Sequence, residues 1–177
     1  MPLTIIDSLQ ALPSEVWDGL LAQPQPFLRH AFLSALEDSG SVGGHSGWLP
    51  SHRLWCDEHG TVQAVLPAYL KQHSYGEYVF DHGWADACRR AGIGYYPKLL
   101  GAVPFSPVTG ARLLGDADAA GKLLDALTVG LGAEELSSLH INFTSPACDA
   151  VVVQRPGWLE RLGCQFHWHN RGYRDFQ

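Results

Sequence analysis

Residues Leu49–Lys71 read LPSHRLWCDEHGTVQAVLPAYLK, and the second half of this stretch alternates. Val62, Ala64, Leu66, Ala68 and Leu70 fall on one side, with the intervening residues on the other. That is the two-residue period of a strand with a buried face. Leu49–Asp57 supplies a first arm, and Glu58-His59-Gly60 supplies the turn, so the segment predicts a β-hairpin. Pro67 takes one donor out of the second arm and marks an edge or a bulge.

Working outward, Thr4–Ile6 predicts a short strand. Ser14 is placed to cap a helix running to about Ala22, with Val16/Leu20 and Trp17/Leu21 spaced four apart. Pro24 and Pro26 break the chain before a second helix. Its stripe is Phe27, Leu28, Ala31, Phe32, Ala35 and Leu36, and it stops at Gly40. Beyond the hairpin, Arg112–Leu114 predicts a short strand, and Asp118 opens a helix carrying Leu123, Leu124 and Leu127. Leu139, Ile141 and Phe143 alternate with His140, Asn142 and Thr144 as a half-buried strand. Pro156 suits the first turn of a helix with Trp158, Leu159 and Leu162, stopped by Gly163. A last strand is expected over Cys164–Arg171. There Cys164, Phe166 and Trp168 face the core, and Gln165, His167, His169 and Arg171 face away.

Between hairpin and helix lies HSYGEYVFDHGWADACRRAGIGYYPKLLGAVPFSPVTGARLL, residues His73–Leu114. Aromatic and proline residues are interleaved with Glu77, Asp81, Asp86, Lys98 and Arg112, and neither a two-residue nor a 3.6-residue period runs through them. The stretch therefore predicts an irregular connection of about forty residues, far beyond the ~12–15 usual for a structureless loop. Its aromatic content excludes disorder. An ordered, aromatic-walled segment with charged tips is expected to line a binding site for a polar small molecule or peptide.

The chain has 177 residues, enough for one domain with a sizeable core, and no internal repeat or linker divides it. A net charge of −6, from 12 basic and 18 acidic residues, excludes a nucleic-acid-coating surface. MPLTIIDSLQALP has neither a basic nor an apolar signal region, and no apolar run approaches a membrane span. Cys56, Cys88, Cys148 and Cys164 form no CxxC pair and are expected as reduced thiols, so a cytoplasmic protein is expected.

The order of elements resembles that of a GNAT-type acyltransferase domain, an α/β (α+β) fold with a mixed, mostly antiparallel sheet flanked by helices. HSYGEYVFDHGWADA, YYPKLLGAVPFSPVTGARLL and CQFHWHNRGYRDF resemble the FemAB-like family of N-acyltransferases, related to Fem-type enzymes that add amino acids to peptidoglycan precursors. Family members are built from two GNAT-like halves. The resemblance thus implies that residues 1–177 are a single GNAT-like domain corresponding to the amino-terminal half of a longer, bacterial-type protein, either a fragment of it with a carboxy-terminal half as partner or a naturally short paralogue; a homodimer is a further expectation. It also implies an aminoacyl or N-acyl transfer to a small-molecule or peptide amine, with aminoacyl-tRNA as donor. Two further readings stand beside it: a non-catalytic recognition or scaffold domain, and an acetyl-CoA-dependent acetyltransferase.

No cofactor is expected. Arg89-Arg90-Ala91-Gly92-Ile93-Gly94 matches a coenzyme A turn, yet it ends a helical segment (Trp84–Ala91) instead of opening one. Gly115-Asp116-Ala117-Asp118, ahead of the next helix, carries two carboxylates that would repel a pyrophosphate. No metal is expected either, because Cys164 points away from His167 and His169. Glu77, Asp81 and His167 are the candidate proton acceptors for an attacking amine. Lys98 and Arg112 are candidate anion clamps or ordinary surface cations. Tyr75, Tyr96 and Phe105 are candidate walls of the substrate site or core aromatics. His169 belongs either to a pocket wall or to a solvated strand face.

Overall fold

A computed structural model describes residues 2–175. It has two four-stranded sheets. In the first, β1 (Leu3–Ile6), β3 (His52–Cys56), β4 (Val62–Leu66) and β7 (Leu114–Gly115) lie in that order, all antiparallel. In the second the order is β2 (Trp48–Pro50), β5 (Ala68–Lys71), β6 (Lys98–Gly101) and β8 (Leu139–Ile141), with only β6–β8 parallel. The fold is the expected mixed α+β arrangement with mostly antiparallel strands.

The hairpin is present, but each arm serves both sheets. It breaks at Ser51 and Pro67, so one arm is β2 and β3 and the other β4 and β5. At the seam the Ala68 N–H donates to His52 Nδ1 at 3.1 Å instead of to a ladder carbonyl. With Nδ1 accepting, Nε2 carries the proton and donates to Glu37 Oε1 at 3.2 Å. Glu37 lies on α2 (His30–Asp38), so the same imidazole ties that helix to the seam.

Two layers of helix enclose the sheets. α1 (Ser14–Gly19) and α2 cover one face through Trp17, Leu33, Leu54, Val65 and Leu114. On the other face α4 (Ala117–Gly130) packs Leu123, Leu124 and Leu127 against Leu66, Ala68 and Leu99. Asp116 caps α4, accepting from the Ala119 N–H at 2.9 Å. Buried Arg53 donates to both carboxylate oxygens of Glu134, at 3.0 and 2.7 Å, and fixes the connection that follows α4.

Residues 73–114 are not one irregular connection. They contain α3 (His82–Arg90) and β6, whose four residues are all buried. A strand covered on both faces shows no alternation, which is why KLLG hides in the sequence. The carboxy-terminal elements also differ from expectation. The last helix is α5 (Pro146–Val152), with Pro146 in its first turn, and residues 156–162 are not helical. Gly157 takes φ +87° there, and Leu159 and Leu162 find nothing to pack against. Cys164–Arg171 forms no strand: Phe166 is 98% exposed and Trp168 72%, so neither enters the core. An alternating sequence makes a strand only beside a neighbour to pair with, and this one has none among the described residues. Phe176, at the end of the last family-like motif, lies outside the described residues.

Gly121 gives the fold a test. A Cβ there would lie 1.8 Å from Arg155 Nη2, in the space from which Arg155 bonds Gly121 O, Asp125 and Val151 O and so pins α5 to α4. Alanine gains about 1 kcal/mol of helix propensity over glycine. It displaces three hydrogen bonds worth roughly 0.5–3 kcal/mol each. Gly121→Ala should therefore destabilise the native protein in urea melts, whereas in an Arg155→Ala background the same change should stabilise it.

Candidate functional site

The second sheet presents two unlike faces. Leu70, Leu99, Leu139, Ala68 and Ile141 point to α4. Register sets Trp48, Lys71 and Lys98 side by side on the opposite face, with Tyr69, Leu100 and His140 in the next row. Adjacent like charges on paired strands repel, and here neither lysine reaches water. The segment 74–81, passing over this face, supplies the compensation.

Lys98 Nζ donates to Ser74 Oγ at 2.9 Å, Glu77 Oε2 at 2.8 Å and Asp81 Oδ2 at 2.7 Å, which uses all three of its protons. Tyr95 Oη donates to the same Asp81 oxygen at 2.8 Å, and Tyr96 Oη shares a 2.8 Å hydrogen bond with Ser74. Lys98 Nζ lies 5.4 and 5.6 Å from the two tyrosine ring centroids, so aromatic faces close the ammonium in. Lys71 Nζ sits 3.9 Å over the Trp48 ring. Lys71 Nζ and Trp48 Nε1 both donate to the Tyr75 carbonyl, at 3.3 and 3.2 Å, which anchors the loop that brings Glu77 inward. Gly76, at φ +77°, completes the fit, because a Cβ there would stand 2.6 Å from the Phe105 ring.

The two carboxylates are driven in opposite directions. Burial lifts the Glu77 carboxyl above its usual range, and the hydrogen bond and charge of Lys98 only partly offset it. Burial also acts on Asp81, but hydrogen bonds led by that from Lys98 outweigh it and hold Asp81 below the usual range. Lys71 is pushed down to about 8, by burial and by the charge of Lys98, against the pull of Glu77. His140, beside the Tyr95 ring, is pushed down to about 4 by burial and by Lys98, and so is neutral at physiological pH. Glu77 Oε1 and Asp81 Oδ1 are buried acceptors with no hydrogen-bond partner among the described residues. A cleft of about 420 Å³ lies outside this centre, lined by Ala85, Asp86, Arg89, Ile93 and the two tyrosines.

Glu77, Asp81, Tyr96 and Lys98 thus converge, with Phe105 and the Tyr75 backbone bracing them. The Tyr75 ring itself stays in water against His73 and His82. Lys98 is not a surface cation, and neither is Arg112. Arg112 is buried and donates to the carbonyls of Asn142, Ala111 and Val108, an internal clamp closed off from an external anion. His167 and His169 belong to the exposed terminal segment, where His167 bonds Gln165. Sequence reasoning passed over Lys71, Trp48, Ser74 and His140. The signal for Lys71 was its parity with Tyr69, which places it on the face turned away from α4.

A family model described as peptidoglycan biosynthesis/recognition matches residues 8–177. The chain belongs to the FemAB-like family. No curated protein and no solved structure matches it. The FemAB-like match begins just after β1 and runs through the terminal segment, so it covers the Lys98 centre entirely. No described helix is long and apolar enough to cross a membrane.

Two outcomes follow from burial. Removing one partner of a buried ion pair costs about 3–5 kcal/mol, against about 0–1 kcal/mol for an exposed one. Lys98→Met should therefore sharply lower the urea midpoint, whereas Lys122→Met, which breaks the exposed pair with Asp118, should leave it nearly unchanged. Lys71 sets a pH dependence. Between about 8 and its ordinary 10.5 the folded state has released a proton that the unfolded chain keeps, so stability rises with pH across that window. The stability difference between wild type and Lys71→Met should be flat below pH 8 and climb above it; a flat difference throughout contradicts the assignment.

Proposed function

We propose that this FemAB-like chain carries the acceptor-binding half of an N-acyltransferase that modifies an amine of a peptidoglycan precursor. The observation that supports this reading is the splitting of Glu77 and Asp81 around one buried ammonium. Paired carboxyls whose environments drive them apart divide the work of a proton-transfer site. Asp81, held ionised, anchors Lys98. Glu77, raised and with Oε1 unpartnered, is the proton acceptor. The acceptor nitrogen attacks the carbonyl of an activated ester, for which aminoacyl-tRNA is the proposed donor. The new N–C bond forms, the ester C–O bond breaks, the departing oxygen takes the electron pair, and the nitrogen's proton passes to Glu77.

Exposed Leu159, Leu162, Phe166, Trp168 and Tyr173 support a partner for the terminal segment, either a carboxy-terminal half or a second copy. Occupation of the α4 N-terminus by Asp116 weighs against an acetyl-CoA reading, because the free N–H groups a pyrophosphate would use are partly taken. A recognition role without chemistry is favoured by one observation: the Glu77 and Asp81 side chains are closed to solvent.

The test is mass spectrometry of precursor peptides bearing a free side-chain amine, incubated with charged tRNA and the full-length protein. Acyl transfer should add one aminoacyl mass to the amine. Glu77→Gln should lower the rate by about 10²–10⁴, the usual loss for a general base, with the fold intact. Binding of the peptide with no mass gain under any donor would favour recognition instead.

A further inference from the structure

The proposed proton acceptor is sealed in, so something must move before a substrate reaches it. We propose that residues 78–94 form a lid over the Lys98 centre and that the Lys98 ion pairs latch it shut. The lid rests on the functional reading only for what lies beneath it.

Its packing is that of a detachable element. α3 fully buries no residue, and only Ala85 and Cys88 are half-buried, so little hydrophobic contact holds it down. Phe80 is 85% exposed and Trp84 62%, and Tyr78 and Ile93 are likewise in water, leaving the lid's largest apolar side chains unused by the closed state. The inward bonds come from its margins. Glu77 and Asp81 reach Lys98 on the entering side, and Tyr95 reaches Asp81 on the returning side. Each margin carries a glycine with positive φ, Gly76 at +77° and Gly92 at +71°, where the backbone tolerates redirection. Behind the closed lid, Glu77 Oε1 and Asp81 Oδ1 stay without donors. A ligand bringing an N–H or O–H donor would satisfy them, which gives the open lid a reason to close again on a substrate.

Hydrogen exchange read by mass spectrometry on the full chain tests the latch. In wild type, amides 82–92 should exchange well ahead of those in α4 and β4. Asp81→Asn, which keeps the shape and removes the charge, should speed exchange across 82–92 by about tenfold or more beyond any rise shared with α4 and β4, the scale of one lost charge-assisted bond. Trypsin cleavage after Arg89 and Arg90 should accelerate in parallel. If Asp81→Asn fails to fold, Glu77→Gln and the wild-type protection pattern decide the matter. Protection of 82–92 equal to that of α4 in wild type overturns the lid, as does exchange that rises in the variant only together with α4 and β4. An opening lid with a fully active Glu77→Gln enzyme would keep this inference and remove the functional reading; a rigid lid with an inactive variant would do the reverse.

Discussion

Lys71 and Lys98 occupy paired positions on β5 and β6, pointing from the same sheet face with no water beside them. Two buried ammonium groups so placed would hold the chain unfolded if nothing neutralised them. Much of the molecule's polar design on that face answers this one demand. Trp48 gives Lys71 a ring to sit over, the Tyr75 carbonyl takes one of its protons, and Glu77 and Asp81 come down onto Lys98. The loop that delivers them, the left-handed turn at Gly76 and the position of α3 follow from the need to reach that ammonium.

The same constraint makes the centre chemically asymmetric. Asp81 receives Lys98 and Tyr95 on one oxygen; Glu77 receives only Lys98. Burial raises both carboxyls, and the fuller donation to Asp81 outweighs it there but not at Glu77, which sends their proton affinities apart. Charge balance inside the fold and the unlike behaviour of the two carboxyls thus have one origin, and the three protons of Lys98 are spent on internal partners.

What the sequence disclosed depended on whether burial leaves a periodic trace. The alternation Val62–Leu70 marks the hairpin's second arm although Val65 and Tyr69, on its other side, are buried as well, and the stripe through Phe32 and Leu36 marks α2, whose fully buried residue, Leu33, stands outside it. β6 is buried on both sides and leaves no pattern, so its KLLG was read as loop. Cys164–Arg171 has a clean alternation and no strand, because a pattern states which face is apolar without supplying the neighbour that pairs. Glu77, Asp81, Tyr96 and Lys98 were legible from their density around aromatic residues. Arg112 was misplaced because its partners are backbone carbonyls, those of Ala111 and Val108 nearby and of Asn142 thirty residues on, and carbonyl partners leave no mark in residue type.

The defining property of the centre is two carboxylates titrating differently around one lysine. Carboxyl-carbon NMR of the selectively labelled full-length protein, followed against pH in wild type, reads each group directly. The account predicts that Glu77 titrates above its ordinary 4.5 and Asp81 below its ordinary 3.8. Two carboxyls titrating together near their ordinary values, or Glu77 losing its proton before Asp81, would contradict it.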